Sequence, residues 1–575
     1  MEASMSRPAP SRGPIRPSAE RVAIVALAIT SAVAARLIAA RVLDDVPHVM
    51  DEMAYLLEAK RMAAGHLTAP LALPRAAFNM WFVDDRVARF GIFPPGWPAA
   101  LALGIRLGLE RWTNPLLHLV TVLVVGRAGA RIGGSRVGLL AAALYATSPQ
   151  VVLLAASLMS HSLVALGASV VTLAIAELLD EGADRRPALF LWSGAALGAV
   201  FATRPLCGVA LLVPFVALGV RARRPSGLLL TVMTAAPFLA ALAAFNRALT
   251  GSALRFPQTA YFDGHAAPAN VPFFTYGKGC NALGFGAACD HTVRGAVHTV
   301  SSAISDAGDN LTALLLLAAS PVVLVAAMAA VLRSRTRAAW LLSVPLIAIG
   351  LYGLYWQAGV CYGARFYQAG IPALMVAAAL GIDRSAPRRL PPRRFASAVL
   401  AAALLCNVGG FALALREMRS WSFWGTDDRF AELARRWNDG RAVVMVAFGP
   451  SDVKNPKLVA TGSMREGTWL LGVRALAALG QNAPVVDDGE IVFAKFHPAL
   501  VPELAARFPD RKLWLYTAWA NRTQDDLRPW TTDMFADHVY RRPADNFDGF
   551  RVAPPDPLPP PLLREVTDEG WPPRP

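Results

Sequence analysis

The sequence predicts an all-α polytopic membrane bundle of about 11 transmembrane helices with a small C-terminal extracytoplasmic α/β domain. Of the 575 residues, 55% are hydrophobic and 17% are charged, and the mean hydropathy is +0.40. That composition is too apolar for an ordinary soluble protein. Long apolar runs recur as far as residue 415, after which the charge rises and such runs stop. The change in composition separates a membrane part from an aqueous part.

Eleven apolar segments are long enough to cross a membrane. A span takes about 20 residues, or fewer where neighbouring helices shield the segment. The segments are 22–41, 113–131, 137–157, 162–179, 188–203, 206–220, 227–247, 311–332, 339–358, 368–383 and 395–415. With the N-terminus in the cytoplasm, an odd number of spans places the C-terminus outside.

The positive charge lies in the loops on one side of the predicted bundle. The formal net charge is +15, and arginines form short clusters in every second loop. The clusters fall within 7–21, 127–136, 185–186, 221–224, 333–337 and 384–394. Cytoplasmic loops of membrane proteins carry such an excess of basic residues. The charge therefore indicates topology, and nucleic acid is not expected as a partner.

The chain divides into four predicted parts. The first apolar run is expected to be an uncleaved span, because it is long, contains Arg36 and lacks a convincing cleavage site. The parts are a basic cytoplasmic tail at 1–21, a transmembrane domain at 22–416 with outer loops at 42–112 and 248–310, an extracytoplasmic α/β domain at 417–551 and a proline-rich tail at 552–575. We expect a multi-pass protein of the bacterial inner (plasma) membrane.

The first outer loop combines acids with amphipathic helices. Apolar residues at helical spacing predict a helix along the membrane surface that starts at Asp51 and ends near Gly65. A second such helix is expected from Pro98 to Leu109, and Trp97 suits the membrane interface. The loop acids are Asp44, Asp45, Asp51, Glu52, Asp84 and Asp85. Because acids are costly in lipid, a cluster at its surface is either solvated or functional, and we favour function.

The C-terminal part has the pattern of a small α/β domain. Two apolar runs, from Ala442 to Phe448 and from Glu490 to Phe496, predict buried strands. Helices are expected at 428–438 and 467–480. The sequence of this part contains neither a nucleotide-binding glycine fingerprint nor a metal-ligand cluster.

Asp51 and Glu52 are candidate catalytic residues with a structural alternative. A carboxylate at the start of a helix caps free N–H groups and interacts favourably with the helix dipole. At the boundary between membrane and water, Asp51 can also act as a general base or orient an acceptor for a transfer reaction. Both roles can hold at once. Tyr55, one turn later, is a candidate substrate-binding residue.

Three arginines lie on the outer side, against the charge rule. Arg204 follows a span, Arg365 precedes one, and Arg255 lies in the loop SALRFPQTAY. A single outer arginine often extends to a lipid phosphate. Two at span ends that face one cavity would instead neutralise a phosphate or diphosphate leaving group, which suits the guanidinium fork. We expect this of Arg204 and Arg365 as a pair, with Arg255 as a further substrate-binding candidate.

Two further features of the outer face are candidates for function. His161 stands at the outer end of its span, in SLMSHSL, where an imidazole is either a hydrogen-bonded interface residue or a substrate contact. Both interpretations remain open. Cys280 and Cys289 share an outer loop, where a disulfide can form.

Six short segments within 20–415 stand in a distinctive order. They are DEMAYLLEAKRMAAGHL, FPPGWP, RVGLLAAALYATSP, FATRPLCGVALLVP, NRALTGSALRFPQTAYF and YGARFYQAGIPAL. In this order they resemble the glycosyltransferase C superfamily, specifically the bacterial branch similar to protein O-mannosyltransferases and the lipid A aminoarabinose transferase. The chain departs from these relatives at Ser160 and His161, where an acid is common, and at Phe93, where the aminoarabinose transferases have a basic residue.

The resemblance implies an enzyme that moves a sugar from a polyprenyl-phosphate carrier to an envelope acceptor on the extracytoplasmic face. It implies that Asp51 matches the acid near the reaction centre and Glu52 its neighbour. It also implies that Arg204 and Arg365 match basic residues at span ends. We expect inverting transfer of a hexose or pentose to a glycan, lipid or protein. No cofactor is certain, and the need for a divalent metal stays open.

Two other classes of function remain as alternatives. A non-enzymatic lipid or polymer transporter would need polar groups through the middle of several spans, with comparable openings on both faces. Here the polar groups gather at one face. A scaffold for envelope assembly would need a large exposed apolar patch on the C-terminal domain, which a sequence does not reveal.

Overall fold

The computed structural model describes nine stretches of the chain. They are 19–80, 82–180, 187–265, 300–355, 359–420, 426–448, 476–496, 500–518 and 526–531. These stretches form a helical membrane bundle, a compact first outer loop and a four-stranded sheet near the C-terminus.

Helices dominate the described part of the chain. In chain order they are α1 (Ala19–Arg41), α2 (Met50–Ala63), α3 (Arg75–Phe78), α4 (Gly96–Arg106), α5 (Thr113–Gly133), α6 (Ser135–Ala146), α7 (Pro149–Ala156), α8 (His161–Leu178), α9 (Pro187–Phe201), α10 (Pro205–Arg221), α11 (Pro225–Thr250), α12 (Pro257–His265), α13 (Val300–Ala313), α14 (Pro321–Arg333), α15 (Arg335–Gly353), α16 (Ile371–Arg384), α17 (Pro392–Ser420), α18 (Arg429–Arg436) and α19 (Val501–Arg507). The strands are β1 (Val83–Asp84), β2 (Phe90–Gly91), β3 (Ala442–Phe448), β4 (Ile491–Lys495), β5 (Lys512–Ala518) and β6 (Asp526–Pro529).

The apolar helices identify a multi-pass membrane protein. Seven described helices are long and apolar enough to cross a membrane, and the bent pairs α6–α7 and α13–α14 raise that number to nine. Helices α9 and α10 are shorter apolar helices. Each of the eleven predicted segments overlaps one of these helices or pairs. The total of eleven spans stays a prediction.

Both bent pairs break where a serine precedes a proline. Helix α7 starts at Pro149 and α14 at Pro321, and the two pairs bend by 60° and 101°. The preceding residues, Ser148 and Ser320, have extended ψ angles of 122° and 157°. A proline ring clashes with a helical conformation of the residue before it, so the earlier helix must end there. The predicted spans 137–157 and 311–332 are therefore broken helices.

Small residues allow the bundle helices to pack closely. A Cβ added to Gly138 of α6 would lie 2.5 Å from the carbonyl oxygen of Gly126 in α5, and one on Gly381 of α16 would collide with Ala326 of α14. In a membrane, where hydrophobic contact between helices has little driving force, such close backbone approach supplies much of the attraction. The bundle is thereby fixed around α16, which is buried from Ile371 to Ile382.

The first outer loop folds into a compact unit around α2. Strands β1 and β2 pair antiparallel, and Phe93, just after β2, packs its ring 4.5 Å from that of Tyr55. Helix α2 is buried on almost all sides, so its polar face is not free to solvent as the amphipathic pattern suggested, and its place along the membrane surface stays a prediction. Its cover comes from elsewhere in the fold, which local periodicity does not reveal. The second predicted helix is α4, which starts and ends a few residues earlier than expected.

The C-terminal domain is built on a four-stranded sheet of order β4-β3-β5-β6. Strand β3 pairs parallel with β4 and β5, and β6 runs antiparallel to β5. Strands β4 and β5 run parallel on either side of β3, and α19 lies in the connection that crosses from one to the other. Both predicted strands and the helix predicted at 428–438 are present. Most of the helix predicted at 467–480 and all of the tail at 552–575 lie outside the described residues.

This domain packs directly on the first outer loop. One hydrophobic core contains Met53 of α2 together with Phe493 of β4 and Leu515 of β5. Further contacts join the loop to the domain. The rings of Phe78 and Phe508 lie 6.3 Å apart, and His48 Nδ1 lies 2.6 Å from Thr426 Oγ1. Two lysines donate to backbone carbonyls across the same boundary, Lys495 Nζ to Asn79 at 3.1 Å and Lys60 Nζ to Gly480 at 3.5 Å. The loop and the domain therefore form one packed unit.

Candidate active site

Asp51 lies in the first turn of α2 and is not its N-cap. The helix begins at Met50, and the N-cap residue is Val49, with extended angles of φ −119° and ψ 153°. The sequence had predicted that the helix starts at Asp51. Its carboxylate still lies near the positive end of the helix dipole. Because it does not occupy the cap, it can reach a partner outside the helix.

Glu52 supplies the missing cap. Its Oε2 accepts hydrogen bonds from the backbone N–H groups of His48 at 2.7 Å and Val49 at 3.2 Å. Its Oε1 accepts one from the N–H of Leu158 at 3.0 Å. Burial raises the pKa of Glu52, and these N–H groups, first that of His48, act in the opposite direction. Glu52 thus ties the start of α2 to the segment that leads into α8.

Arg365 brings positive charge to Asp51. It begins the 3₁₀ turn Arg365–Gly370 in front of α16 and is 6% exposed. Its Nε donates to the carbonyl oxygen of Gly359 at 3.0 Å, and its Nη1 lies 3.7 Å from Oδ1 of Asp51. The contact joins residues that are more than 300 positions apart in the sequence. The predicted acid and one of the predicted cations therefore meet.

Arg204 and Arg365 share one aromatic ring. Their guanidinium carbons lie 5.1 and 5.3 Å from the centroid of Phe366, and Tyr352 stacks on the same ring at 4.8 Å. The negative face of an aromatic ring attracts a cation. In the described part of the chain, no carboxylate lies within ion-pair distance of Arg204. Two like charges beside one ring are further stabilised by a bound anion.

Ser160 and Tyr55 connect Arg204 back to α2. Arg204 Nη1 donates to Ser160 Oγ at 3.3 Å, and the Tyr55 hydroxyl lies 3.4 Å from the same Oγ. Burial raises the pKa of Tyr55 to about 12, so its hydroxyl keeps its proton at neutral pH. Tyr55 follows Asp51 by one helical turn. The contacts thus run in a closed circuit from Asp51 through the two arginines to Tyr55.

His161 is enclosed beside the two arginines. It begins α8, is 0% exposed, and lies within the electrostatic field of Arg204 and Arg365. Neither ring nitrogen has a hydrogen-bond partner among the residues that the structure describes. A buried polar group without a partner costs about 1–3 kcal/mol, so it calls for water or a ligand. His161 therefore adds an unsatisfied donor and acceptor to the site.

The assembled groups suit an anion held next to a base. Guanidinium forks recognise phosphoryl oxygens by paired, charge-assisted hydrogen bonds. A carboxylate within hydrogen-bond reach of a hydroxyl can accept its proton during attack. Asp51 contributes one negative charge and the two arginines contribute two positive charges. The three groups therefore keep a net positive charge that a phosphate can neutralise.

Three other acids of the first outer loop form structural ion pairs. The contacts are Asp45 with Arg36 at 2.8 Å and Arg111 at 3.0 Å, Asp84 with Nε of Arg86 at 3.1 Å, and Asp85 with Arg75 at 3.6 Å. The acidic cluster of the sequence is thus divided. Only part of it, through Asp51, reaches the arginine pair.

The remaining predicted site features are placed differently. Arg255 is exposed in the loop between α11 and α12, and its substrate-binding role stays a prediction. Cys280 and Cys289, the disulfide candidates, lie outside the described residues. Within the stretches that the structure describes, no group of three or more His, Cys, Asp or Glu side chains is placed to hold a metal ion.

Glu58 is a second buried acid of α2 with a different environment. It is 0% exposed, and neither carboxylate oxygen has a hydrogen-bond partner among the described residues. A Cβ on Gly91 of β2 would collide with its carboxylate, so the glycine leaves room for the carboxylate in its present position. Burial raises the pKa of Glu58 from 4.5 to about 8, and Arg61 offsets only part of that effect.

Glu58 should make the stability of the protein depend on pH. Between pH 4.5 and about 8 the unfolded chain loses this proton while the folded chain keeps it, so stability falls as the pH rises. We expect Glu58→Gln, which carries no titrating proton, to remove that fall and to unfold at a higher temperature than the wild type at pH 8. Thermal unfolding of both proteins in lipid nanodiscs from pH 5 to 8 measures this dependence of stability on pH. Parallel pH slopes for the two proteins would contradict the assignment.

Two residues that position the site were not identified from the sequence. Phe366 directly follows Arg365, and its place in YGARFYQ was the available signal. Trp97 was expected at the membrane interface, but it is 0% exposed and its Nε1 donates to the Leu158 carbonyl at 2.8 Å. The neighbouring Gly96 N–H donates to the carbonyl of Ala202 at 2.8 Å, so the FPPGWP segment supports the junction that carries Arg204.

Comparisons with known proteins relate this architecture to solved structures. No family model and no curated protein matches the chain. ArnT from Cupriavidus metallidurans, bound to undecaprenyl phosphate, is similar at 14% identity and a TM-score of 0.47, covering 86% of this chain and 93% of ArnT.

Two further solved structures are similar. One is the archaeal oligosaccharyltransferase AglB from Archaeoglobus fulgidus, at 12% identity and a TM-score of 0.38, covering 86% of this chain and 69% of AglB. The other is the arabinofuranosyltransferase AftD from Mycobacteria, at 17% identity and a TM-score of 0.41, covering 86% of this chain and 35% of AftD. All three likenesses have TM-scores below 0.5.

Proposed function

We propose that the protein is a membrane glycosyltransferase that moves a sugar from a polyprenyl-phosphate carrier to an acceptor of the cell envelope on the extracytoplasmic face. The observation that carries the proposal is the ion pair of Asp51 with Arg365, which shares the ring of Phe366 with Arg204. Asp51 lies 3.7 Å from Arg365, and both arginines pack on Phe366. These groups come from three distant parts of the sequence, and each was expected to act in such a reaction.

The arginine pair holds the phosphate of the carrier. Arg204 and Arg365 lie at the ends of apolar helices, where the headgroup of a membrane-embedded lipid is within reach while its isoprenoid tail stays in the bilayer. Their donors stabilise the negative charge that grows on the phosphate as the sugar leaves. His161 and Tyr55 complete the shell of polar groups around the phosphate and sugar.

Asp51 assists the acceptor. The acceptor hydroxyl attacks the anomeric carbon while the bond from that carbon to the phosphate oxygen breaks. The hydroxyl proton passes to the Asp51 carboxylate, and the electron pair of the broken bond passes to the phosphate oxygen. A single displacement of this kind inverts the configuration of the anomeric carbon. Positive charge that develops on the sugar ring is stabilised by the nearby carboxylate.

A transfer assay with purified protein in nanodiscs tests the proposal. The donor is a radiolabelled polyprenyl-phosphate sugar, and an envelope extract supplies the acceptors. We expect label to leave the lipid fraction and to appear in a second, acceptor-bound product. Heat-treated protein and nanodiscs without protein serve as controls. Movement of intact carrier across the bilayer without cleavage would instead favour the transporter alternative.

A further inference from the structure

His48 lies at the junction between the first outer loop and the C-terminal domain. It is 1% exposed. Its Nε2 lies 2.9 Å from the carbonyl oxygen of Leu43, and its Nδ1 lies 2.6 Å from the hydroxyl oxygen of Thr426. A carbonyl oxygen only accepts hydrogen bonds, so Nε2 carries the proton. In the neutral ring Nδ1 then accepts a hydrogen bond from the Thr426 hydroxyl.

Thr426 is anchored to the sheet of the C-terminal domain. It lies three residues before α18, and Phe430 in the first turn of that helix is 2% exposed. The ring of Phe430 packs 5.9 Å from that of Phe493 in β4 and 5.3 Å from that of Tyr516 in β5. The segment that carries the Thr426 hydroxyl is therefore packed on the sheet through Phe430.

The other side of His48 leads to the candidate active site. Its backbone N–H donates to Glu52 Oε2 at 2.7 Å, and Glu52 Oε1 accepts from the N–H of Leu158 at 3.0 Å. Leu158 lies two residues before Ser160, to which Arg204 donates. Asp51 directly precedes Glu52 in the same helical turn. The His48 ring and the two sides of the site are thus joined by hydrogen bonds and by short stretches of backbone between them.

We propose that His48 is a positioning residue through which Thr426 of the C-terminal domain holds Asp51 in register with Arg204 and Arg365. This inference rests on the proposed function for its catalytic consequence. It gives the C-terminal domain a role inside the reaction centre, in addition to any part it has in binding the acceptor. Loss of the hydrogen bond between Thr426 and His48 should misplace Asp51. The rate of the chemical step should therefore fall more than the affinity for the carrier.

Thr426→Val is the decisive variant, because valine keeps the shape of threonine and removes only the hydroxyl. Thr426→Ser restores that hydroxyl and is the matched control. A second pair acts on the ring: His48→Asn keeps an acceptor near the position of Nδ1, whereas His48→Gln keeps a donor near Nε2 and loses the contact with Thr426. Each protein is studied as the full chain in nanodiscs.

We expect Thr426→Val to lower kcat by about tenfold with the KM for the labelled carrier nearly unchanged, because the misplacement of a base affects the transition state more than ground-state binding. Thr426→Ser should stay close to the wild type, and His48→Asn should retain more activity than His48→Gln. A kcat for Thr426→Val within twofold of the wild type, or equal losses in the valine and serine variants, would overturn the proposal.

Hydrogen exchange of the same variants separates this proposal from the proposed function. The backbone N–H groups of His48, Val49 and Leu158 bind Glu52, so they should exchange faster in Thr426→Val and at the wild-type rate in Thr426→Ser. This readout needs no transfer activity. If the wild type transfers no sugar but the exchange pattern appears, the proposed function fails and the positioning contact stands. Unchanged exchange in the valine variant would reject the contact itself.

Discussion

Asp51→Asn is expected to lower kcat for sugar transfer by about 10²–10⁴, the range that a positioned general base contributes. Asparagine keeps the size of the side chain and loses the ability to accept the acceptor proton. Carrier binding should persist or tighten slightly, because Arg365 loses the carboxylate that lies 3.7 Å away. Single-turnover transfer with saturating labelled carrier measures the chemical step, and equilibrium binding of the carrier measures the ground state.

Glu58→Gln is the matched control for Asp51→Asn. It makes the same acid-to-amide change in α2, but the Glu58 carboxyl group keeps its proton at neutral pH and packs against Gly91, outside the circuit around the arginines. It should transfer sugar at the wild-type rate at neutral pH. A positioned base usually contributes far more than threefold to the rate. If the kcat of Asp51→Asn stays within about threefold of the wild type, Asp51 is therefore not the base.

Removal of the arginine pair is expected to produce the second large effect. Each charge-assisted hydrogen bond to phosphate contributes about 1.5–3 kcal/mol, so Arg204→Gln or Arg365→Gln should weaken carrier binding by about tenfold to 150-fold. The double variant should lose less than the product of the two single losses, because both guanidiniums pack on the Phe366 ring and residues that share a partner rarely act independently. Binding of a short polyprenyl monophosphate in detergent measures all three proteins.

Two sets of control variants show whether the loss of carrier binding is specific to the guanidinium groups of this pair. Arg136→Gln removes a guanidinium that pairs with Asp383 at 3.6 Å in another part of the bundle, and it should bind the carrier like the wild type. The lysine variants at positions 204 and 365 keep the charge and lose the fork, and they should fall between wild type and glutamine. Equal affinity for the carrier in Arg136→Gln and in the double variant would show that the pair does not hold the phosphate.

Much of the fold could be predicted because apolar length is a local property of the chain. Each predicted span overlaps a helix or a bent pair, and the strand predicted from Ala442 to Phe448 is β3. The bends at Pro149 and Pro321 also have a local signal, a serine followed by proline. Hydropathy alone does not detect that signal. The burial of α2 has no local signal, since its cover includes a sheet that lies hundreds of residues later in the chain.

The candidate site was predictable where a charge stands out against its surroundings. Asp51, Arg204 and Arg365 are conspicuous because acids at a membrane boundary and arginines on the outer side need a reason. Phe366 was not, because an aromatic residue in an apolar segment is ordinary until two guanidiniums are found on its ring. The contact between His48 and Thr426 spans 378 positions, a distance over which no sequence spacing predicts a hydrogen bond.

The shared core of α2 and the C-terminal sheet has a consequence for biosynthesis. Met53 leaves the ribosome long before Phe493 and Leu515, with which it shares one hydrophobic core. Until the last strands have been synthesised, the apolar side of α2 lacks its permanent cover. The nascent chain must therefore keep that surface shielded by lipid or by a chaperone, and the packed unit of loop and domain can arise only after the last strands have been made.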